Sequence, residues 1–180
     1  MKLRFVSVLS FVAGILLCFG AVIVLLNGFG SAVVITAVSA LVLLFSGVCF
    51  LLQYFFAKGE QFRGAWSIWT IVLYTATAVL LFGCLSSPLL RTADLAAAFS
   101  VFSGLNRISA FYQLRKIEKK PNWIALLFGI LCGLAGGVFY FLPSPSGYLL
   151  NLFLALFFIL EGVYASLLWL QNEKSASRAL

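Results

Sequence analysis

The sequence predicts an all-α membrane protein: six transmembrane helices arranged as three repeated helical hairpins, with both termini in the cytoplasm. Three observations lead there. Hydrophobic residues make up 63% of the chain and charged residues 9%, against about 45–50% and about 25% in a soluble domain. The apolar residues form unbroken runs of about 20, the length a helix needs to cross a hydrocarbon core of roughly 30 Å. The basic residues gather in the short segments between alternate runs, the pattern that sets membrane topology. A water-soluble globule of 180 residues has no interior large enough for so much apolar surface. Lipid requires every backbone N–H and C=O to be satisfied internally, which leaves helices or a closed barrel. Barrel strands would alternate apolar and polar residues, and these runs do not.

The first run follows Lys2 and Arg4 and extends from Phe5 to Leu26. It mimics a signal peptide, with Cys18 in the place of a lipoprotein cysteine. Leu17 stands where such a signal needs a small residue, and the run outlasts a signal h-region, so it reads as an uncleaved first helix. Asn27-Gly28-Phe29-Gly30 turns the chain into helix 2, Ser31 to Phe56. A polar loop, Ala57 to Gly64, precedes helix 3, Ala65 to Leu85. Ser86-Ser87-Pro88 ends that helix, because proline lacks the N–H and clashes inside a helix. Helix 4 covers Ala93 to Leu114, and a basic loop, Arg115 to Asn122, leads to helix 5, Trp123 to Leu142. Pro143-Ser144-Pro145-Ser146-Gly147 makes the last turn, and helix 6 spans Tyr148 to Leu170.

Orientation follows from the lysines and arginines near the helix ends. One side holds Lys2, Arg4, Lys58, Arg63, Arg115, Lys116, Lys119, Lys120, Lys174 and Arg178, and the other Arg91; the rich side is cytoplasmic. Trp66, Trp123 and Trp169 fall at that boundary, where indole rings favour the headgroup level. The chain also repeats itself. Phe45-Ser46-Gly47 recurs as Phe102-Ser103-Gly104, and each glycine lies 19 residues before a tryptophan, Trp66 and Trp123. A further step of 58 residues reaches Glu161-Gly162. Residues 1–57, 58–116 and 117–175 thus form three hairpins of one membrane domain, and parallel repeats of this kind are related by an axis along the membrane normal.

Several residues together carry a family resemblance. Gly47, Gly104 and Gly162 sit late in the even helices, Gly14 and Gly129 in odd ones, and Trp66 and Trp123 open the later odd helices. Pro88 and Pro143 lie in outer turns, and Arg107 follows Gly104 by three residues. Over nearly its whole length the chain resembles the HdeD-type acid-resistance membrane proteins. It departs from them in its first outer turn, which has Asn27 and Gly28 instead of proline, and in helix 3, which lacks a glycine matching Gly129. The resemblance implies a role in surviving acid stress in a bacterial inner membrane. It implies no reaction and no catalytic residues.

Two ionisable residues interrupt the apolar runs. Arg107 lies eight residues before Arg115, about 12 Å into the membrane at 1.5 Å per residue, and Glu161 has a similar depth. Each costs roughly 2.5–3.5 kcal/mol at a helix centre. Arginine alone can snorkel its head to the interface; a lone glutamate can sit protonated and hydrogen-bonded to a neighbour. Positions one before, three after and six after each repeated glycine share a helical face. They hold Ser46, Phe50 and Gln53 in helix 2, Ser103, Arg107 and Ala110 in helix 4, and Glu161, Ala165 and Leu168 in helix 6. Intramembrane polar groups face the bundle interior and pair with one another. The expectation is therefore a converging polar face in which Arg107 pairs with Glu161 and Gln53 lies nearby, alongside Ser103 and Ser46. Such a pair either fixes helix register or serves as a protonatable element, since protonating Glu161 would leave Arg107 unpaired.

Helix 5 carries Gly129, Gly133, Gly136 and Gly137. Gly129/Gly133 and Gly133/Gly137 have the GxxxG spacing that brings helices close, either within the chain or across a homo-oligomer. The loop from Arg115 to Lys120 either fixes topology or attracts anionic lipid. No nucleophile has a base beside it. Cys18, Cys49, Cys84 and Cys132 fall one per run in a chain without histidine, so no metal or cofactor is expected. The basic charge of +7 is topogenic and not a nucleic-acid footprint. The reading is a non-enzymatic inner-membrane protein with a structural or interaction role in acid and envelope stress, its partner the lipid bilayer. The alternative is a transporter or channel for protons or a small solute, using the polar face.

Overall fold

The computed structural model describes residues 2–26, 32–56, 64–86, 92–118, 122–141 and 147–177. Every described segment is dominated by one α-helix: α1 Lys2–Leu26, α2 Ala32–Phe56, α3 Ala65–Ser86, α4 Thr92–Glu118, α5 Trp123–Phe141 and α6 Gly147–Ser177. Asn122 opens α5, its side chain and carbonyl both accepting from the Ala125 N–H, as an N-cap residue does. Two helices outrun their apolar cores. α4 continues four residues past Leu114 and α6 seven past Leu170. A basic last turn, as Arg115 and Lys116 give α4, is favoured at the negative end of a helix. Arg115, Lys116, Ile117 and Glu118, expected in the loop, are helical. Ser86 and Gly147, expected in turns, are the last residue of α3 and the first of α6; residues 27–31, 57–63, 87–91, 119–121 and 142–146, with Arg91, Lys58, Lys119 and Lys120, lie outside the described residues.

Five of the six helices are long and apolar enough to cross a membrane: α1, α2, α3, α5 and α6. The exception, α4, is long enough, but it carries Asp94, Ser100, Ser103, Asn106 and Arg107 among its apolar residues. On every helix large apolar side chains point outward, Phe19 on α1, Phe55 on α2, Trp69 on α3, Leu105 on α4, Val138 on α5 and Leu156 on α6 among them. Inside, the core is built from small and aromatic residues, with Leu17, Leu43, Tyr74, Leu81 and Phe158 almost wholly buried.

Each helix touches its neighbours in the chain, and α6 closes the circuit on α1. The three broadest interfaces are α1 with α6, α4 with α5, and α2 with α3; α5 and α6, though consecutive, touch little. Glycines decide where these helices come closest. A Cβ on Gly162 would lie 2.5 Å from Cys18 Sγ and 2.7 Å from the Gly14 carbonyl oxygen. One on Gly104 would lie 2.6 Å from the Gly129 carbonyl oxygen, and one on Gly47 would meet Thr75 and Tyr74 at 3.2–3.3 Å. Opposed pairs run in reverse order, Gly14 by Ser166 and Cys18 by Gly162, so α1 and α6 are antiparallel.

The α5 seam differs from the GxxxG expectation. Its buried residues are Ala125, Gly129, Cys132, Gly136 and Phe139, an alternation of four and three that keeps one face on its neighbour. A Cβ on Gly136 would meet the Ala97 carbonyl oxygen at 2.8 Å, whereas one on Gly133 or Gly137 would meet nothing within 4 Å. Gly133 still matters as a backbone surface under Gly104. Gly137 has rotated off the seam, because seven residues, not eight, bring a packed face back into register.

Candidate functional site

At mid-height in the bundle three helices converge on one carboxylate. Glu161 of α6 is 2% exposed and Arg107 of α4 is 5% exposed, and the two form an ion pair through Nη2 and Oε2. The Tyr74 hydroxyl of α3 donates to the same Oε2 at 2.5 Å. The Ser103 hydroxyl, one helical turn before Arg107, donates to Oε1 at 2.5 Å. Cys132, nine residues from either end of α5, places its sulfur 4.0 Å from Oε1. Tyr164 lies one turn beyond Glu161, and its ring sits under the guanidinium, with Arg107 Cζ 3.6 Å from the centroid. A cation over an aromatic face gains about 2 kcal/mol or more when desolvated. Arg107 is thus held on one side by a charge and on the other by a π-face. Its Nη1 has no hydrogen-bond partner among the described residues.

Aromatic rings wall the site. Tyr74 meets Phe50 and Phe99 edge to face, each at 5.2 Å between centroids, and Phe99 meets Phe157 at 5.1 Å. In this apolar setting an ion pair is stable only when its remaining lone pairs are also satisfied, and here each carboxylate oxygen accepts from a hydroxyl, Oε2 from Tyr74 and Oε1 from Ser103.

The polar face expected from the repeat is therefore divided. Arg107, Glu161 and Ser103 come together. Gln53 does not join them: its amide donates to Ser10 Oγ of α1 at 2.8 Å, two helical turns from Ser46. Ser46 is fully buried with no hydrogen-bond partner among the described residues, as is Ser39 on the same stripe. Around the cluster, Ser100 donates to the Cys132 carbonyl at 2.8 Å and so ties α4 to α5. Asn106 donates to Thr70 Oγ1 at 2.8 Å and ties α4 to α3. Tyr74 and Tyr164 carry no expectation from the sequence, and Cys132 stands there only as one of four cysteines, one per apolar run. The signal was available for the tyrosines: a hydroxyl in the middle of an apolar helix must find a partner. No group of three or more potential metal ligands occurs among the described residues.

A family model described as "Short repeat of unknown function (DUF308)" matches residues 5–83 and 89–141. The chain belongs to this family. With its apolar helices, that makes it a multi-pass helical membrane protein. The DUF308 match covers Tyr74, Ser103, Arg107 and Cys132, while Glu161 and Tyr164 lie beyond its last matched residue. No curated protein and no solved structure matches the chain.

Proposed function

We propose that this DUF308 protein is a six-span bacterial inner-membrane protein of HdeD type, with both termini cytoplasmic, serving acid and envelope stress resistance in a structural or interaction role. It is not an enzyme. The observation that carries this reading is the closed cluster at Glu161, in which α3, α4 and α6 are joined through one desolvated carboxylate. A titratable group used as the fastening of a bundle suits a protein that works under acid. α4 counts as the sixth span because its polar residues Ser100, Ser103 and Arg107 are buried while Phe102 and Leu105 face outward at mid-helix, the exposed Asp94 and Ser109 lying to either side of them. Its 27 residues reach about 40 Å at 1.5 Å per residue. Three matched glycines, Gly47, Gly104 and Gly162, each at the close approach to an odd helix, support the threefold repeat. The family's description as a short repeat supports it too.

The transporter alternative keeps one observation in its favour, the buried hydroxyls of Ser39 and Ser46, which have no hydrogen-bond partner among the described residues and line the α2 stripe that ends at Gln53. Survival and flux separate the two readings. A strain lacking the gene should lose viability and envelope integrity after an acid challenge, and the wild-type gene should restore both. Proteoliposomes should show no more proton flux than empty vesicles. Flux that Arg107→Leu abolishes would decide for transport, and unchanged acid survival in the deletion strain would remove the stress role.

A further inference from the structure

The donors around Glu161 are not equivalent, and the difference concerns where a proton can go. An ionised carboxylate only accepts; once protonated, one of its oxygens must donate. Arg107 occupies Oε2 and has no acceptor, and Tyr74 occupies the same oxygen. A proton on Oε2 would meet the Arg107 N–H, which cannot accept, even if the Tyr74 hydroxyl turned to accept it. Oε1 faces Ser103 and, at 4.0 Å, the Cys132 sulfur; a hydroxyl both donates and accepts, and a thiol does so weakly. If Ser103 turns, Oε1–H can donate to its Oγ. The serine proton is then free for the carbonyl of Phe99, four residues back, the partner a helical serine ordinarily uses.

We propose that Glu161 is a proton-binding site that takes its proton on Oε1, with Ser103 turning from donor to acceptor while Arg107 and Tyr74 keep their hold on Oε2. The bond made is Oε1–H, with hydronium as the proton source. The hydrogen bond lost is Ser103 to Oε1, and the one gained runs the opposite way. No helix has to move for the proton to be accepted. Arg107 loses its counter-charge but keeps its hydrogen bond, because Oε2 is then the carbonyl oxygen and still accepts, and Tyr164 remains under the guanidinium. The groups facing the site are Tyr74 from α3, Arg107 and Ser103 from α4, Cys132 from α5 and Tyr164 from α6 itself; α1 brings Cys18 against the adjacent Gly162. The sequence reading, in which protonation leaves Arg107 unpaired, concerns the charge; the two-oxygen geometry adds that the hydrogen bond to Oε2 is kept. This proposal rests on the acid-stress reading for its biological occasion and on the two-oxygen geometry for its chemistry.

The test is an acid-minus-neutral infrared difference spectrum of the full chain in detergent. The wild type should gain a carbonyl band that shifts in heavy water and is missing from Glu161→Gln, which assigns it to this one of five carboxylates. With the proton on Oε1, the carbonyl is Oε2, so Tyr74→Phe should raise the band frequency by removing a donor. Ser103→Ala should raise it less, because it touches only the hydroxyl side, and Ser103→Thr should restore the wild-type band. Melting temperatures of all variants would establish that they fold. The reverse order, a larger rise for Ser103→Ala than for Tyr74→Phe, would place the proton on Oε2 and overturn the assignment. No band above that of Glu161→Gln would overturn the proton site altogether. A missing survival phenotype with the band present would sink the stress role and leave this site standing.

Discussion

At the residue scale, the protein turns on a charge pair that lipid would not tolerate singly. Removing one partner of a buried pair leaves the other uncompensated and costs about 3–5 kcal/mol, while replacing both by apolar residues is often nearly neutral. Glu161→Leu and Arg107→Leu should therefore each lower the melting temperature in detergent markedly. The double variant should recover much of the loss, a coupling measurable in a thermodynamic cycle. Additive losses would mean that the pair contributes nothing as a pair. Tyr164→Leu should destabilise less, by about 2 kcal/mol, since it removes the π-face and leaves Oε2 in place. What could be read of this site in the sequence came from spacing: Arg107 and Glu161 share a face because their offsets from Gly104 and Gly162 fit a helix. Gln53 fits the same offset but is tied to Ser10 instead. A face specifies direction, not depth, and Gln53 sits two turns nearer the end of α2 than Ser46, beside α1. Tyr74 escaped notice because it belongs to an odd helix, outside the repeat arithmetic that found the others.

At the element scale, backbone contact between helices depends on individual glycines. Where a new Cβ would strike main-chain atoms, the helices must separate, and overpacking of that kind costs about 1–3 kcal/mol. Gly104→Ala and Gly136→Ala should each destabilise the chain by that amount, because their obstacles are the Gly129 and Ala97 carbonyl oxygens. Gly137→Ala, with open space around its Cβ, should melt within about 0.5 kcal/mol of the wild type. Equal effects at Gly136 and Gly137 would show that α5 packs on a different face. The helices themselves were legible: long apolar runs cut by Asn-Gly and proline segments have few alternatives in lipid. Their ends were less so, since the final turns of α4 and α6 are polar and leave the hydrophobic signal behind. Hydropathy also cannot say which helices pair. The three broadest interfaces join α2 to α3, α4 to α5 and α6 to α1, each between two of the expected hairpins and none within one, because glycine placement fixes them and loop length does not.

At the scale of the whole molecule, the decisive contact is the one between the first helix and the last. Because α1 and α6 lie antiparallel along their glycines, the start of α1 and the end of α6 must emerge at the same end of the bundle. α4 and α5 obey the same rule, with Gly136 by Ala97 and Gly129 by Ile108. Packing alone does not say which end faces the cytoplasm. On the proposed reading the lysines and arginines assign that end, ten on one side against one on the other, since basic residues favour the cytoplasmic side; the two arguments are independent, one from side-chain sterics and the other from charge during insertion. Fluorescent-protein fusions after residues 60, 119 and 177 should therefore all light up, since that reporter folds only in the cytoplasm. Alkaline phosphatase fusions after residues 29, 89 and 145 should be active, since that enzyme needs the oxidising side. A fluorescent fusion at 60 combined with an active phosphatase fusion at 119 would mean that α3 and α4 do not both cross. In that case α4, the helix with the weakest apolar signal, would lie on the membrane surface, and Arg107 could not reach Glu161 at mid-height.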